Sequence, residues 1–465
     1  MSTAVAAKIA ARLDRLPASG AIWRLVVLIS LGGMFEFYAV FQTGYLIPAM
    51  SADGLFSASS LGIFAALRSI SVTGGGSYVF CLFLGLWAGS LCLAPLADRF
   101  GRRTIFIGSI LWYLGCSIIM ALQQSGEWLN IWRIAAGLGF GLELVVMDVY
   151  LAELVPAAMR GRAFALNQAI TFSIVPVVAG LAWLLVPHHF AGLEGWRAVI
   201  LLGSLGVPVV LWLARELPES PRWLALHGRE EEALGVLAAL EHAAASKTRA
   251  LAEPRVLPPE RSTRGRFLEL LSPRYAERSL MMSIFNVGQV IGFYGFAAWV
   301  PTLLMARGIA FTNSLEYAVI IALANPVGPL LAFFIADRVE RSVQIMVTLC
   351  LMGTFMVGFA LSSWPPALIG FGVLFTAASN AMSTAFHAYQ AELFPTRMRA
   401  RAIGFVYSWS RLSAAFAGLA VGYFLYDGGV LAIAVFIGVA MAIAVIIIGA
   451  FGPRTRARSL EEISY

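Results

Sequence analysis

The sequence predicts an all-α membrane protein made of two related halves. Of its 465 residues, 59% are hydrophobic and only 13% are charged, whereas a soluble protein of this length would carry about a quarter charged residues. The apolar residues fall in runs of about 20, the length of helix that crosses the hydrocarbon core of a bilayer. A transmembrane β-barrel would instead show short alternating segments. We therefore expect a multi-pass helical protein of the cell membrane, taken to be a bacterial inner membrane.

Two motifs recur at one interval and indicate an internal duplication. The segment Gly89–Arg103 reads GSLCLAPLADRFGRR and Gly328–Arg341 reads GPLLAFFIADRVER, so the aspartates of the shared Ala-Asp-Arg are 337 − 98 = 239 residues apart. A second motif, Ala-Glu-Leu followed by a proline and arginines, recurs around Glu153 and Glu392 at the same interval, 392 − 153 = 239. Two unrelated motifs that share one spacing indicate a duplicated half.

Twelve membrane-spanning helices are expected, six in each half. In chain order the predicted spans are 22–47, 77–97, 104–123, 129–151, 163–186, 196–215, 280–304, 315–336, 343–362, 366–391, 402–425 and 430–452. The predicted domains are a cytoplasmic N-terminal segment (1–21), an N-terminal six-helix bundle (22–215), a cytoplasmic inter-bundle loop (216–279), a C-terminal six-helix bundle (280–452) and a cytoplasmic tail (453–465).

The basic residues predict the orientation of these spans. Arginines cluster after spans 2, 4, 8 and 10 and in the tail, and the positive-inside rule places these loops and both termini in the cytoplasm. The same rule accounts for the net charge of +7, so no nucleic-acid partner is expected. The four cysteines all fall within apolar spans and are interpreted as packing residues.

Several function classes lack their sequence signatures. There is no phosphate-binding Gly-Lys-Ser/Thr loop and no metal-ligand cluster, so we expect no enzyme activity, no cofactor and no metal. A membrane carrier without a nucleotide site must use an ion gradient, and carboxyl groups within the spans make protons the first choice. The expected partners are a small organic ion, protons and membrane lipid, and the chain is expected to be a monomer.

The charged residues of the two repeated motifs are predicted to form a cytoplasmic gate. An aspartate at a helix end beside arginines can pair with a neighbouring helix end and its dipole. Such a network would hold one side shut and come apart when the halves rock; the alternative is that the arginines serve topology alone. The predicted gate residues are Asp98, Arg99, Arg102, Arg103, Glu153, Arg160, Asp337, Arg338, Arg341, Glu392 and Arg399.

These motifs resemble those of a known superfamily. Asp98–Arg103 is similar to the signature loop of the major facilitator superfamily, and Pro218–Leu224 (PESPRWL) and Arg458–Ile463 (RSLEEI) resemble segments of its sugar-porter-related branches. The resemblance covers essentially the whole chain. It implies the major facilitator fold, in which two pseudo-symmetric six-helix bundles enclose a central site that is reached by alternating access.

Spans 1, 7 and 10 favour a branch other than the hexose carriers. Sugar porters usually have a Gln-Gln-rich motif in span 7 and Gly-Pro-x-x-Trp in span 10, and neither is present here. Tyr294–Pro301 and Tyr389–Arg397 are more similar to the branch of bacterial nicotinate transporters, aromatic-acid/proton symporters, animal organic-ion carriers and the synaptic vesicle protein. That branch often has Phe-Asp-x-Tyr-Asp in span 1, whereas Phe35–Ala39 keeps one acid, as Glu36, and lacks the second.

Two charges are predicted to lie deep in the membrane and in different halves. A charge near the bilayer centre costs at least ~2.5 kcal/mol, so each is a candidate functional residue. Glu36 falls near the midplane of span 1 and Arg411 about 12 Å into span 11. Because an arginine stays protonated, Arg411 needs a carboxylate, from Glu36 or from the substrate. A Glu36–Arg411 pair could open when an anionic substrate binds, or it could be a permanent packing contact.

Span 4 carries three further charges, Arg133, Glu143 and Asp148. Arg133 resembles the span-4 arginine that several superfamily members use in proton coupling. Asp148 is about 22 Å further along the helix and is interpreted as a gate or proton-exit carboxylate. Glu143 is either a proton site or part of an inter-helix pair. The predicted proton-coupling residues are therefore Glu36, Arg133, Glu143 and Asp148.

Polar and aromatic residues of the spans complete the predicted binding site. Neutral polar residues can contact a substrate, but they can equally hold membrane helices together. His387 is predicted to be structural or to relay protons. The predicted substrate-binding residues are Arg411, Glu36, Tyr38, Asn286, Gln289, Phe293, Tyr294, Trp299, Asn380 and Tyr407.

The predicted function is proton-coupled uptake of a small organic acid. Nicotinate or another aromatic carboxylate is suggested by the family resemblance, and the anionic charge by Arg411. Two alternatives remain open at this point. One is an organic-cation or multidrug carrier, in which Glu36 or Glu143 is the counter-ion of the substrate. The other is a transporter-like receptor that binds its ligand without moving it.

Overall fold

The computed structural model is almost entirely helical and confirms the predicted fold class. It describes residues 2–70, 75–186, 188–190, 192–245, 253, 267–273, 275–297, 300, 303–304, 308, 317, 319–395, 398–456 and 458. Within these residues, ten helices are long and apolar enough to cross a membrane. The shorter apolar helix Val319–Ile335 and the first part of a long C-terminal helix occupy the positions of predicted spans 8 and 11.

The N-terminal half starts with a short helix and then crosses the membrane six times. Ser19 caps the first crossing helix by accepting a hydrogen bond from the Ile22 amide, and this helix extends five residues beyond the predicted end of span 1. The elements are α1 (Ser2–Asp14), α2 (Gly20–Ala52), a 3₁₀ helix (Gly62–Ile70), α3 (Gly75–Ala88), a π turn (Gly89–Leu93), α4 (Pro95–Phe100), α5 (Arg102–Ala121), α6 (Gly126–Leu154), a 3₁₀ turn (Ala157–Met159), α7 (Arg160–Phe172), α8 (Ile174–Leu185), α9 (Gly195–Ser204) and α10 (Val207–Glu216).

Short elements join the crossings and the two halves. An antiparallel hairpin, β1 (His189–Phe190) and β2 (Leu193–Glu194), precedes α9. Between the halves, the described residues form two helices and a 3₁₀ turn, which are α11 (Pro221–Leu226), α12 (Glu230–Ala245) and Phe267–Leu271.

The C-terminal half repeats the crossing pattern. Its last two crossings are two helical segments that follow each other directly and are separated by a kink at Gly429. The φ of 64° at this residue is a conformation that favours glycine. The elements are α13 (Ala276–Ala297), α14 (Val327–Ile335), α15 (Arg341–Leu361), α16 (Pro365–Glu392) and α17 (Arg399–Phe451).

A glycine brings the two halves into close contact beside the first repeated motif. A β-carbon added to Gly404 on α17 would clash with the Ser90 carbonyl of the π turn and lie 2.6 Å from the Ala94 methyl. Small residues of this kind let membrane helices approach closely. The contact positions the start of α17 against the Ala-Asp-Arg motif of the other half.

Candidate functional site

Glu153 is the centre of a buried ion cluster at one end of the molecule. Its carboxylate accepts two hydrogen bonds from Arg102, at 3.1 and 3.0 Å, and one from Ser220 at 2.6 Å. It also accepts one from Arg399 of the other half, at 3.2 Å. Arg102 in turn lies 3.1 Å from Asp98. One fully buried carboxylate therefore joins an arginine from each half.

Glu392 forms the equivalent cluster in the C-terminal half. Arg341 lies 3.8 Å from its carboxylate and 3.3 Å from Asp337. Arg160 of the N-terminal half lies 3.5 Å from the same carboxylate. Each of these residues is 239 positions from its counterpart around Glu153. The two clusters are therefore related by the internal repeat.

Contacts from both clusters join the two halves at this end of the molecule. The cross-half contacts Arg399–Glu153 and Arg160–Glu392 are buried and bridge the two bundles, and a salt bridge of 2.6 Å joins Arg162 to Asp337. We call the set Arg102, Glu153, Arg160, Arg341, Glu392 and Arg399 the arginine-rich end.

Three predicted gate residues lie outside the cross-half contacts. Arg99 and Arg338 occupy equivalent positions of the repeat and are exposed. Arg103 donates to the Ala214 carbonyl of its own half. Within the described part of the chain, none of the three has a carboxylate within 4.0 Å. In this structure the three residues therefore make none of the predicted gate ion pairs.

Other residues of this end were missed by the sequence prediction. Glu219 accepts from the amides of Arg102 and Arg103 at 2.8 and 3.2 Å. Asp14, at the end of α1, lies 2.7 Å from Arg222 and 3.8 Å from Arg160. The repeat interval gives no signal for these residues, because neither belongs to a duplicated motif.

Asp98 has an altered acidity in the closed arrangement. Burial raises the pKa of Asp98 to about 6, and the nearby Glu153 carboxylate contributes in the same direction. Arg102 and the amide of Arg401, 3.3 Å from the Asp98 carboxylate, oppose this rise. The Asp98 carboxyl is therefore sensitive to whether this end is closed and dry.

A second layer of cross-half contacts lies just inside the arginine-rich end. Nδ1 of His387 on α16 lies 2.6 Å from Oδ2 of Asp148 on α6. Nε2 of Gln390 donates to the same oxygen at 2.9 Å. Oδ1 of Asp148 is buried and makes no hydrogen bond to a described residue. Asp148 is thus held by the other half.

Arg411 lies deeper in the molecule and is held by tyrosines. Its guanidinium donates to the hydroxyl of Tyr294 at 3.2 Å and to the hydroxyl of Tyr407, whose ring centroid is 4.3 Å from the guanidinium carbon. Nε of Arg411 is buried and lacks a hydrogen-bond partner among the described residues. The predicted Glu36–Arg411 pair is wrong for this structure, because no described carboxylate lies within 4.0 Å of Arg411; the two charges interact only at a distance.

Two carboxyl groups of the N-terminal half are buried without a cation beside them in the described structure. Glu36 is 2% exposed, and its Oε2 has no hydrogen-bond partner in the described structure. Both carboxyl oxygens of the fully buried Glu143 are likewise unpartnered. Burying an ionised carboxylate without a cation is unfavourable by several kcal/mol. We call Glu36, Glu143, Tyr294, Tyr407 and Arg411 the central cluster.

Arg133 is buried on α6 and forms no ion pair with a described residue. It donates to the Ala39 carbonyl at 3.2 Å and to the Thr43 hydroxyl, and it stacks on the Tyr78 ring at 4.4 Å. Ala39 stands where the span-1 motif of the resembling branch has its second acid. The contact that Arg133 makes at this position is therefore with the backbone carbonyl of Ala39.

The remaining predicted substrate residues have mixed surroundings. The Tyr38 hydroxyl donates to the Val199 carbonyl at 2.6 Å, so it serves helix packing. Asn380 donates to Asn325 at 3.1 Å, and the Asn286 amide donates to its own helix while its oxygen is unpartnered among described residues. Gln289 is buried, and Trp299 lies outside the described residues.

Aromatic rings from both halves surround Tyr294 next to Arg411. Phe83 of the N-terminal half packs edge-on against Tyr294 with centroids 4.9 Å apart. Phe293 packs against Tyr294 at 4.9 Å and lies 6.2 Å from Phe172. The buried guanidinium of Arg411 thus lies beside aromatic rings that come from both halves. Among the described residues, no three His, Cys, Asp or Glu side chains are placed to hold a metal ion.

Comparison with known proteins places this arrangement in context. Residues 25–465 match the model of a family described as sugar (and other) transporter. The chain is 26% identical to the putative metabolite transport protein YyaJ of Bacillus subtilis strain 168, over 97% of this chain and 96% of the relative. It is 26% identical to the niacin transporter NiaP of Acinetobacter baylyi (97% and 98% covered) and 27% identical to a gallate transporter of Pseudomonas putida (90% and 88% covered).

A solved structure shares the fold. The proton:xylose symporter XylE, solved with 6-bromo-6-deoxy-D-glucose, superposes with a TM-score of 0.78 at 19% identity, covering 95% of this chain and 98% of that one. The predicted twelve-helix major facilitator fold is confirmed.

Proposed function

Since the chain belongs to the sugar (and other) transporter family of the major facilitator superfamily, we propose that it carries a small organic acid, an aromatic carboxylate such as nicotinate, into the cell together with protons. It is a multi-pass membrane transporter of small molecules and not an enzyme. We further propose that it acts as a monomer in the cell membrane, with the arginine-rich end and both termini on the cytoplasmic side.

The observation that carries this proposal is the buried Arg411 guanidinium. Tyrosine hydroxyls give Arg411 hydrogen bonds but no compensating charge. A permanent cation in a buried site is stabilised by an anion that forms charge-assisted hydrogen bonds with it. A substrate carboxylate supplies such an anion, whereas a neutral sugar or an organic cation does not.

The aromatic surroundings and the relatives narrow the class of acid. Phe83, Phe293 and Tyr294 offer ring faces and edges to a flat molecule. Niacin and gallate, the compounds in the names of two relatives, are both aromatic carboxylic acids. This agreement supports an aromatic carboxylate as the substrate.

The proton sites that we propose are Glu36 and Glu143. Each is buried, and no Arg or Lys of the described chain lies within 4.0 Å of either. A neutral carboxylic acid is the stable form in such a place. In this proposal the two groups take up protons while the opposite side of the transporter is open. Arg133 has the role of holding span 1 against span 4, through Ala39 and Thr43.

The transport cycle follows from these two regions. With the arginine-rich end closed, substrate and proton enter from the other side and the carboxylate binds Arg411. Because the bound carboxylate neutralises the charge of Arg411, it favours closure of the entry side around the substrate. The two halves then rock, the cross-half contacts at Glu153 and Glu392 separate, and the substrate leaves on the cytoplasmic side.

Uptake into proteoliposomes tests the proposal against both alternatives. An inward proton gradient should drive accumulation of labelled nicotinate, and a protonophore should abolish it. Protein-free liposomes and the Arg411→Ala variant are the controls. Accumulation of tetraethylammonium but of no carboxylate would favour the cation carrier, and saturable binding without net uptake would favour the receptor.

Cysteine labelling in intact cells tests the orientation. Ser59 and Arg229 are both exposed and lie on opposite ends of the molecule. A cysteine at residue 59 should react with an impermeant reagent and one at residue 229 only after the cells are opened. The reverse pattern would overturn the assigned orientation.

A further inference from the structure

The N-terminal helix α1 packs on the two short helices that follow the first half. It contacts both α11 and α12, and its residues Ile9 and Leu13 lie in the same buried hydrophobic cluster as residues of these helices. Arg12 donates two hydrogen bonds to Glu241 of α12, at 3.1 and 2.5 Å, and Arg15 reaches the same carboxylate at 2.8 Å. Apolar and ionic contacts therefore fix α1 to α11 and α12.

Asp14, the last residue of α1, joins this helix to the start of α7. Its Oδ2 accepts a hydrogen bond from Arg222 of α11 at 2.7 Å. Its Oδ1 accepts one from the Ala157 amide at 3.1 Å, in the turn between α6 and α7. The same Oδ1 lies 3.8 Å from Nη2 of Arg160, the first residue of α7. A carboxylate of α1 thus lies beside a member of the arginine-rich end.

Arg160 lies between two carboxylates that belong to different halves. Its Nη1 is 3.5 Å from Glu392 of the C-terminal half, and its Nη2 is 3.8 Å from Asp14 of the N-terminal half. Charge-assisted hydrogen bonds between nitrogen and oxygen are about 2.7–2.9 Å long, so neither carboxylate holds the guanidinium closely. Nε and Nη2 have no hydrogen-bond partner among the described residues, although Arg160 is fully buried. The guanidinium is therefore shared between the two carboxylates.

Separation of the halves affects the two carboxylates differently. Glu392 lies on α16 and moves away with the C-terminal half, whereas Asp14 stays on α1 beside Arg160. No other carboxylate of the described chain lies within 4.0 Å of Arg160. A buried arginine that loses its carboxylate is strongly destabilising. Asp14 therefore lowers the free energy of the separated form, in which Arg160 would otherwise be left without an anion.

We propose that Asp14 is a positioning residue that receives Arg160 when Glu392 withdraws. In the closed form the guanidinium is shared between the two carboxylates, and in the open form it is bound by Asp14 alone. The N-terminal helix thereby favours opening of the arginine-rich end, although Asp14 and Arg160 belong to the same half. This inference rests on the proposed transport cycle, in which the cross-half contacts separate.

The distance between the halves can be measured without a substrate. Spin labels at residues 99 and 338, which are exposed and equivalent in the repeat, report this distance at the arginine-rich end by double electron–electron resonance. The exposed Cys92 and Cys350 are first replaced by alanine. The parent also carries Arg399→Gln, which removes one arginine–glutamate contact across the halves and so raises the open population to a measurable level. Failure of every tested carboxylate to be transported would leave this measurement valid.

Asp14→Asn keeps the size of the side chain and its acceptor for the Ala157 amide but removes the charge. We expect its ratio of open to closed molecules to be roughly fivefold below the parent ratio, the upper end for an ion pair that water can reach. Asp53→Asn is the matched control, since Asp53 binds Trp196 at the other end of the N-terminal half, and it should keep the parent ratio. If Asp14→Asn does not fold, Asp14→Ser, which also offers an acceptor, carries the same expectation.

A double-mutant cycle separates this role from a merely structural one. Here Arg160→Gln replaces Arg399→Gln as the background, so that one arginine–glutamate contact across the halves again remains. Because the guanidinium is absent, Asp14→Asn should now leave the ratio of open to closed molecules unchanged. A fall that persists in this background would show that Asp14 acts through Arg222, and it would overturn the proposal. An unchanged or larger open fraction of Asp14→Asn in the Arg399→Gln parent would overturn it as well, because Asp14 would then not favour opening.

Discussion

The arginine-rich end and the central cluster differ in whether their buried charges contact an opposite charge. At the arginine-rich end, buried guanidinium groups contact carboxylates, and the partners come from both halves. In the central cluster Arg411, Glu36 and Glu143 are equally buried, yet no opposite charge of the described chain lies within 4.0 Å of them. The charges of the arginine-rich end are neutralised by other side chains of the protein. In our proposal, the charges of the central cluster are neutralised by the substrate and by protons.

The internal repeat explains which charges are paired. The arginine-rich end is built from residues that recur after 239 positions. The positions at this interval from Glu143 and Arg411 are Met382 and Phe172, so the central charges have no counterpart in the other half. Duplicated charges hold the halves together, and unduplicated ones provide the binding and proton sites of the proposed function.

Removing the Glu153 carboxylate from the arginine-rich end should have the largest effect on stability. Glu153→Ala would leave Arg102 and Arg399 buried side by side and should cost about 3–5 kcal/mol of stability. The thermal unfolding midpoint should fall by roughly 3–5 °C, because a chain of 465 residues has an unfolding entropy of roughly 1 kcal/mol/K. Glu232→Ala breaks an exposed arginine–glutamate pair and serves as the matched control, with no measurable change. Equal midpoints for the two variants would break the comparison.

Neutralising an acid of the central cluster should affect coupling and not stability. Glu143→Gln replaces a carboxyl group that is already neutral in our proposal, so its thermal unfolding midpoint should stay within about 1 °C of the parent value. Stimulation of uptake by a proton gradient should fall at least about tenfold, and the same is expected for Glu36→Gln.

The paired stability and transport measurements identify the proton site. A destabilised Glu143→Gln would show that Glu143 is ionised and paired in the fold. Full gradient stimulation in one of the two variants would assign the proton to the other acid.

A smaller effect is expected for Asp98, which lies at the edge of the arginine-rich end and makes the closed form depend on pH. Because the pKa of Asp98 is about 6 when buried and about 3.9 when hydrated, the closed form binds its proton more tightly. Asp98 therefore favours closure increasingly as the pH falls from about 6 to about 4, and this contribution is lost as the pH rises through 6.

Asp98→Asn fixes the neutral form and so removes this pH dependence, and it should slow turnover without weakening substrate binding. Because asparagine mimics the protonated carboxyl group, the distance between spin labels at the exposed residues 99 and 338 should match the parent below about pH 4, diverge from it between about pH 4 and pH 6, and differ by a constant amount above about pH 6. A loss of substrate affinity, for this variant or for the equivalent Asp337→Asn, would contradict a role at the closed end.

The fold and the members of the arginine-rich end were largely predictable from the sequence. Apolar runs of membrane length gave the twelve crossings, and a shared interval gave the members of both ion clusters. The same interval also relates Asp148 to His387, whose contact was not predicted. Arg99 and Arg338 are exposed and make no described ion pair, because an interval identifies equivalent residues without saying which helix face meets the other half.

The central cluster was harder to predict because it lacks this symmetry. The depth of each residue along its span predicted that Glu36 and Arg411 lie in one region. Only the structure shows that the hydroxyl groups of Tyr294 and Tyr407 accept hydrogen bonds from Arg411. The Tyr38 hydroxyl turned out to bind the Val199 carbonyl. Helix rotation decides such contacts, and residues of a helix that is apolar on all sides carry little signal for rotation.

Binding of a matched acid and amide to Arg411 variants tests the central claim most directly. Titration calorimetry with nicotinate should give measurable binding to the parent, weaker binding to Arg411→Lys, which keeps the charge without the planar fork, and none to Arg411→Ala. Arg338→Ala, an exposed arginine change, should bind like the parent. Nicotinamide should bind the parent about 10- to 100-fold more weakly than nicotinate and lose little more on Arg411→Ala. Tight binding of a quaternary ammonium compound to Arg411→Ala, with no response of the parent to any carboxylate, would contradict the account.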